Sequence, residues 1–329
     1  MRVTVAGAGM AGLVAAARLR ELGHEPRVLE KGTRAGGSML LSSCVLWRHL
    51  EWERFREECP RGDERLQRLL WERLDDSLRW LESLGAEPVW QDTENPLTTG
   101  RRYDPRALTG LLARDVELET PLPDGAEPPL LLATGGFPVR LARERGLLLR
   151  ANPWSEGDGL DFALARGATA TQAMDEFYGR VMPAPPARIR EEDFVPLSQL
   201  YGRDARVFDD EWREITPPQV AWHENDLAQL VGPRAWYVVD GTNERIEAAR
   251  AAGGEVVERD DGTIAVHVAA AVTHTIGGLA VDTGARVLGA EGLWAAGVDA
   301  GGVASGGYAS GLAQALVLGL AAAESIASG

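Results

Sequence analysis

The sequence is short of several things, and each shortage excludes something. Lysine is nearly absent: of 34 basic residues only Lys31 is one, and 49 acidic residues leave a net charge of −15. No Lys/Arg-rich run offers a surface that could track phosphates, so nucleic acid is not an expected partner. The negative charge equally disfavours an anionic membrane surface. Cysteine occurs twice, as Cys44 and Cys59, too few for a disulfide framework or a metal site built on thiolates. Long apolar runs are missing as well. The most apolar late stretch, Gly311 to Ala323, is interrupted by Gln314 and falls short of the about 20 residues a membrane span needs. The N-terminus runs straight into an apolar strand and leaves no room for a signal peptide. The expectation is a soluble, cytoplasmic protein. Its 329 residues correspond to roughly two domains at about 150 residues each.

Glycine, by contrast, is plentiful at 38 residues, and the first cluster is informative. Arg2–Ala6 reads as a buried strand, followed by Gly7-Ala8-Gly9-Met10-Ala11-Gly12, a helix ending near Gly23, a second strand and Glu30. Strand, GxGxxG, helix, strand and acidic residue form the dinucleotide-binding βαβ unit of an α/β, Rossmann-type domain. Gly7 permits the tight turn, Gly9 lets backbone approach a pyrophosphate, and Gly12 lets helix and strand pack closely. Glu30 is placed to accept hydrogen bonds from a ribose, and the helix N-terminus offers N–H groups to phosphate. A second glycine pair, Gly36-Gly37-Ser38, follows Lys31. The unit alone leaves NAD and FAD both open, although the second loop suits the longer cofactor.

Further along, leucines from Leu66 to Leu84 at three- and four-residue steps predict an amphipathic helix over 64–84, with Trp71 and Trp80 packing on it. The apolar strand before Ala133-Thr134-Gly135-Gly136 again brings bare backbone to the carboxyl edge of a sheet. A helix is predicted from Gly157-Asp158-Gly159 to about Arg166, strands over 266–272 and 292–297, and a closing helix from Ser310 to about Ile326. Residues 180–262, with mixed charge and short apolar runs, read as a small α+β lobe inserted into a discontinuous first domain, 1–179 and 263–329.

These segments together resemble the FAD-dependent oxidoreductases of the fumarate reductase/succinate dehydrogenase flavoprotein group, including the 3-ketosteroid dehydrogenases. The matching stretches, in family order, are GAGMAG with Glu30, RAGGS, LLLATGGF, GDGLDFALARGA, HTIGG, and GLWAAGVDAGG followed by GGYASGLAQAL. The resemblance implies a Rossmann-type FAD domain closed by a cap, a small-molecule substrate, an electron acceptor or donor of unknown kind, and a hydride exchanged across a carbon–carbon bond next to a carbonyl or carboxylate. It also implies cofactor contacts from Gly7, Gly9, Met10, Ala11, Gly12, Glu30, Lys31, Gly36, Gly37, Ser38, Ser42, Ser43, Cys44, Ala133, Thr134, Gly135, Asp158, Gly297, Asp299, Gly311 and Leu312. Asp299 would take a ribityl hydroxyl, and Cys44 would stand near the flavin edge. His49 lies too far past the glycine pair for the usual histidyl linkage, so the FAD is expected to be non-covalent.

For catalysis, His274 of HTIGG matches a position that binds a substrate carboxylate or carbonyl. Tyr308 stands where the dicarboxylate enzymes carry an arginine. A phenol cannot grip a carboxylate as a guanidinium does, so a ketone substrate is expected, with Gly311 N–H completing an oxyanion-hole-like pair. Reduction of an unsaturated carboxylate and isomerisation without net redox are the alternatives. Arg213, in RVFDDEWREI, resembles the segment that holds a catalytic arginine, while Tyr178, Tyr201 and His223 are further candidates for handling the proton. At this length the chain is short for the family, with the saving expected between Leu118 and Pro129 and in a reduced cap.

Overall fold

The computed structural model describes residues 1–93, 95–198, 205–215 and 225–329. The chain opens with β1 (Arg2–Ala6), α1 (Met10–Glu21) and β2 (Glu25–Leu29), then a 3-10 turn at Gly37–Leu41 and β3 (Val45–His49). There follow α2 (Trp52–Glu58), α3 (Glu64–Ser83), β4 (Pro88–Trp90), β5 (Thr98–Tyr103), α4 (Pro105–Leu112), β6 (Val116–Glu117) and β7 (Leu130–Leu132). The next elements are α5 (Pro138–Arg145), β8 (Leu148–Leu149), α6 (Asp158–Leu164), β9 (Phe177–Pro183), α7 (Phe194–Leu197), β10 (Arg206–Phe208) and α8 (Asn225–Val231). The last are β11 (Ala235–Asp240), α9 (Glu244–Ala251), β12 (Val256–Glu258), β13 (Thr263–Thr275), β14 (Leu293–Ala295) and α10 (Gly311–Ser328).

Two compact units emerge. The first comprises Met1–Phe137, Asn152–Glu176 and His274–Gly329, and the second Pro138–Ala151 and Phe177–Thr273. The inserted lobe is therefore larger than the 180–262 read from composition. Its first strand explains the difference: β8 pairs with Ala271 and Val272 of β13, so residues 138–151 belong with the second unit and not with the dinucleotide-type sheet. A two-residue strand carries too little pattern to declare its partner.

In the first unit a five-stranded sheet has the order β14-β7-β1-β2-β6, and all four pairings are parallel. Val3, Val5, Val28, Leu29 and Leu130–Leu132 are buried, as expected for a parallel sheet covered on its faces. A separate antiparallel sheet, β3-β5-β4, belongs to the same unit. Helix α3 follows its leucine period closely. Leu66, Leu70, Leu74, Leu78 and Leu81 are buried, and Asp63 caps the start by accepting from the N–H of Arg65 at 2.9 Å and of Leu66. Trp71 and Trp80 pack as expected, and their indole N–H groups donate to the His49 carbonyl and to Glu21.

Helix α10 covers the stretch that its sequence suggests and is long and apolar enough, by length and composition, to cross a membrane. Within the protein 72% of that stretch is buried. Gly319 lets it approach α1 closely, since a β-carbon there would lie 2.8 Å from the Ala11 carbonyl oxygen. Gln314, which interrupts the apolar run, is buried and donates to the carbonyls of Gly297 and Ala300 at 2.8 and 2.7 Å.

The second unit is built on β13, a continuous 13-residue strand. It pairs antiparallel with β11 and β12 and parallel with β8, and β10 extends the sheet from β11. Strand β9, buried along its whole length, also pairs with β13.

Candidate dinucleotide and substrate site

The βαβ unit forms as its spacing predicts. Gly7 has φ +105°, a region that favours glycine. Gly12 sits so near Val5 that a β-carbon would lie 3.2 Å from its side chain. Glycine at 9 answers a different need: a β-carbon there would meet nothing within 4 Å, so open space lies at the mouth of α1. Helix α1 begins with no side chain capping it, which leaves its first N–H groups to a ligand. The second glycine loop faces the first. Gly36 N–H donates to Ala8 O at 2.7 Å, and a β-carbon on Gly37 would come 3.2 Å from Gly9 Cα.

Glu30 is buried, and its two oxygens accept from Ala8 N–H at 2.9 Å and Gly32 N–H at 2.7 Å. These bonds fix the carboxylate, and each oxygen retains a second lone pair suited to a ribose hydroxyl. Lys31 pairs with Glu156 at 2.7 Å and Asp158 at 3.0 Å. Burial works to lower the Lys31 pKa, but the two carboxylates prevail and raise it. Ser38 accepts from Asn152 N–H at 3.0 Å, tying the second glycine loop to the segment that precedes Asp158. This chain's residues thus suit a dinucleotide: facing glycine loops, an uncapped helix start and an anchored ribose acid.

Other expected contacts are engaged within the protein itself. Asp299 is 1% exposed. Its oxygens accept from the N–H and hydroxyl of Thr134 and, at 3.0 Å, from Gly136 N–H. Burial raises its pKa against those bonds. The carboxylate assigned to a ribityl hydroxyl therefore clamps the loop 133–136, and Gly297 lies in the 3-10 turn that carries it. Cys44 is fully buried at φ +54°, and burial pushes its thiol up to about 12. It is a packed, inert group. Ser42 and Ser43 serve the same turn: the Ser42 hydroxyl accepts from Cys44 N–H, and Ser43 O from Arg102 Nε.

His274 closes β13 and comes against the start of α10. A β-carbon on Gly311 would lie 2.9 Å from its Nε2. Its Nδ1 stands 3.2 Å from the Thr275 carbonyl oxygen. A nitrogen facing a carbonyl is the protonated one, so Nε2 carries the lone pair. Burial lowers the ring pKa to about 4, against the opposing pull of the Thr275 bond. At neutral pH His274 is thus an uncharged acceptor, which bars it from donating to a carbonyl or pairing with a carboxylate. Gly311 and Leu312 open α10, whose N-cap Ser310 accepts from Ala313 N–H. Tyr308, half-buried, packs on Trp47 with ring centroids 5.3 Å apart. Trp47 had no mark in the sequence. His49 is enclosed between Trp47 and Phe55.

Arg213 does not have the setting of a catalytic group. Its side chain is 74% exposed and pairs with Asp209 at 2.7 Å and Glu211 at 2.8 Å, within its own turn. Arg206 likewise pairs with Glu214. Among the described residues of the second unit, the buried arginines are Arg150 and Arg180. Arg150 Nε donates to Phe194 O at 3.0 Å, and Arg180 Nη2 donates to Ser198 O at 2.8 Å. Tyr178 is buried on β9. Tyr201 and His223 lie outside the described residues.

Three solved structures share the fold over 99% of the chain. They are an open conformation of a flavocytochrome c3 fumarate reductase (TM-score 0.73, 19% identity, 78% of that chain covered), 3-ketosteroid Δ1-dehydrogenase from Sterolibacterium denitrificans with 1,4-androstadiene-3,17-dione (0.73, 15%, 99%), and 3-ketosteroid-Δ4-(5α)-dehydrogenase from Rhodococcus jostii RHA1 with 4-androstene-3,17-dione (0.69, 16%, 96%). The chain has the fold of these fumarate reductase and 3-ketosteroid dehydrogenase structures. Residues 5–42 match the family described as NAD(P)-binding Rossmann-like domain. Over 36 residues the chain is 64% identical to the flavin-dependent L-tryptophan oxidase RebO of Lentzea aerocolonigenes, a match that spans 11% of this chain and 8% of the oxidase. The likeness to RebO is therefore confined to a short segment, whereas the likeness to the solved structures extends through both units.

Proposed function

We propose that this chain is an FAD-dependent oxidoreductase acting on CH–CH groups. It would bind FAD non-covalently and move a hydride between flavin N5 and a carbon alpha or beta to a ketone. The cofactor supplies the two-electron chemistry. The chain supplies the cradle at Gly9 and Gly37, the ribose acid Glu30, and the N–H group of Leu312 at the start of α10. Tyr308 O–H and Gly311 N–H donate to the substrate carbonyl and stabilise enolate charge there.

The observation that carries the choice of a ketone over a carboxylate is the neutral phenol of Tyr308, packed on Trp47, at the position where the dicarboxylate enzymes carry an arginine. His274, with a pKa of about 4, adds no cation to hold a carboxylate. The fumarate-like alternative lacks this support. Operation in the cytoplasm is part of the reading and is supported by two free, buried thiols, Cys44 and Cys59. An electron acceptor or donor completes turnover.

The test is anaerobic mixing of the FAD-loaded protein with 4-androstene-3,17-dione and, separately, with succinate. Bleaching of the flavin by the ketone, with none by succinate, is the expected result. Tyr308→Phe should slow that bleaching by about 100-fold, the scale of a lost oxyanion donor. Bleaching by succinate, or an unchanged rate in Tyr308→Phe, would discard the ketone reading. Interconversion of isomers with the flavin left yellow would indicate isomerisation.

A further inference from the structure

The loop that carries Tyr308 is fastened along its length. Asp63 N–H donates to Gly302 O at 2.9 Å, Gln67 Nε2 to Val303 O at 2.8 Å, and Arg61 N–H to Ser305 O at 3.2 Å. Tyr308 N–H donates to the Cys59 sulfur. All four of these partners come from the neighbouring stretch 59–67. A further fastening has a different origin. Gly306 N–H donates to Glu176 Oε2 at 2.7 Å, across a sequence separation of 130 residues.

Glu176 is engaged in three directions. Its other carboxylate oxygen takes Arg61 Nη2 at 2.7 Å. Its backbone carbonyl accepts from Ile276 N–H at 3.0 Å, two residues after His274. Ile276 O in turn accepts from Gly302 N–H at 3.1 Å. One residue therefore holds the Tyr308 loop by its side chain and the end of the His274 strand by its main chain. Its side chain is only 22% exposed, so its bond to Gly306 is a charge-assisted one with limited competition from water. The Arg61 side chain is 68% exposed, and an ion pair so open to solvent holds little by itself.

We propose that Glu176 is a positioning residue that sets the placement of Tyr308 relative to His274. The proposal rests on the reading of Tyr308 as the carbonyl donor. The acceptor oxygen facing Gly306 is the essential feature, and the negative charge facing Arg61 is secondary. Removing the acceptor releases the loop between Ser305 and Tyr308, while the stretch 59–67 continues to hold its two ends. The phenol then samples positions in which it no longer meets the carbonyl, so turnover falls more than substrate binding does.

The test uses the full chain loaded with FAD and three variants, Glu176→Ala, Glu176→Gln and Arg61→Ala. Amide hydrogen exchange is followed in peptides covering 302–309 and in the rest of the chain, and kcat and KM are measured with 4-androstene-3,17-dione. In Glu176→Ala, exchange at 302–309 should quicken about tenfold and kcat should fall about tenfold with KM nearly unchanged. In Glu176→Gln, whose amide oxygen still accepts from Gly306, both should return to within about threefold of the unaltered protein. Arg61→Ala should change neither. Native exchange at 302–309 in Glu176→Ala would overturn the proposal. So would a Glu176→Gln variant as impaired as Glu176→Ala, or exchange quickened evenly over the whole chain, which marks a purely structural role. If the loop loosens in Glu176→Ala while Tyr308→Phe turns over normally, the fastening stands and the carbonyl-donor role of Tyr308 fails.

Discussion

The imidazole of His274 lies against Gly311, the first residue of α10, with room for no side chain between them: a β-carbon at 311 would approach Nε2 to 2.9 Å, Cδ2 to 3.2 Å and Cε1 to 3.5 Å. The end of the long strand β13 and the start of the last helix are thereby brought into register at the candidate substrate site. Gly311→Ala forces the ring to move by some tenths of an ångström, although a methyl group at a helix start is otherwise well tolerated. We expect a loss of about 1–2 kcal/mol in stability and weaker flavin retention. Chemical denaturation and equilibrium dialysis against FAD check both, and an unchanged affinity would show that the His274–Gly311 contact does not shape the cofactor site.

Stability should fall with acid through a window set by His274. The unfolded ring titrates at 6.5 and the folded one at about 4. Between those values the unfolded chain takes up a proton that the folded chain refuses, so stability rises with pH across this range and is lost as pH falls through it. The contribution is about 1–3 kcal/mol, given about 1.4 kcal/mol per pKa unit and partial solvent contact. Urea denaturation of the wild type and of His274→Phe at pH 7.5 and 4.5 measures it. Equal pH dependence in the two proteins would contradict the assignment.

Asp299 accepts on both oxygens, with Thr134 donors on one side and Gly136 N–H on the other. An amide supplies only one acceptor, and its NH2 would confront an N–H. Asp299→Asn is therefore not conservative here. It should cost about 1–3 kcal/mol, the scale of a buried donor left without its acceptor, and should loosen the loop 133–136. Thermal denaturation and exchange at Thr134 to Gly136 report on this. A variant as stable as the parent would argue against the clamp.

Both thiols should be silent in the folded protein. Cys44 and Cys59 are fully buried, and desolvation raises both, Cys44 to about 12. At pH 8 the thiolate population is small and shielded. A chromogenic disulfide reagent should label neither cysteine in the native state and both after denaturation. Fast native labelling of Cys44 would restore the view of it as an exposed group at a ligand's edge.

The dinucleotide half of the site was legible because its parts are local. Gly7 to Gly12, the strand before them and Glu30 after them lie within one βαβ unit, and the physical demands of tight turn, close approach and ribose acceptor translate directly into residue types. The leucine stripe of α3 was legible for the same reason, since a helical period is a property of neighbouring residues. Arg213 shows the converse. An arginine among carboxylates looks the same in a sequence whether it faces a substrate or its own turn, and only the fold places Asp209 and Glu211 on its guanidinium.

By itself, then, the sequence determined the parallel α/β framework, the cradle for a dinucleotide and the neutral character of Tyr308. The tertiary structure decided what depends on distant residues meeting. Residues 138–151 join the inserted unit through β8, Asp299 closes on Thr134 and Gly136, Glu176 reaches Gly306, and Trp47 supports Tyr308. It also decided the protonation state of His274, because burial and the facing Thr275 carbonyl are consequences of packing. Local pattern fixes which backbone conformations are favourable, whereas desolvation and long-range hydrogen bonds exist only once the chain has closed on itself.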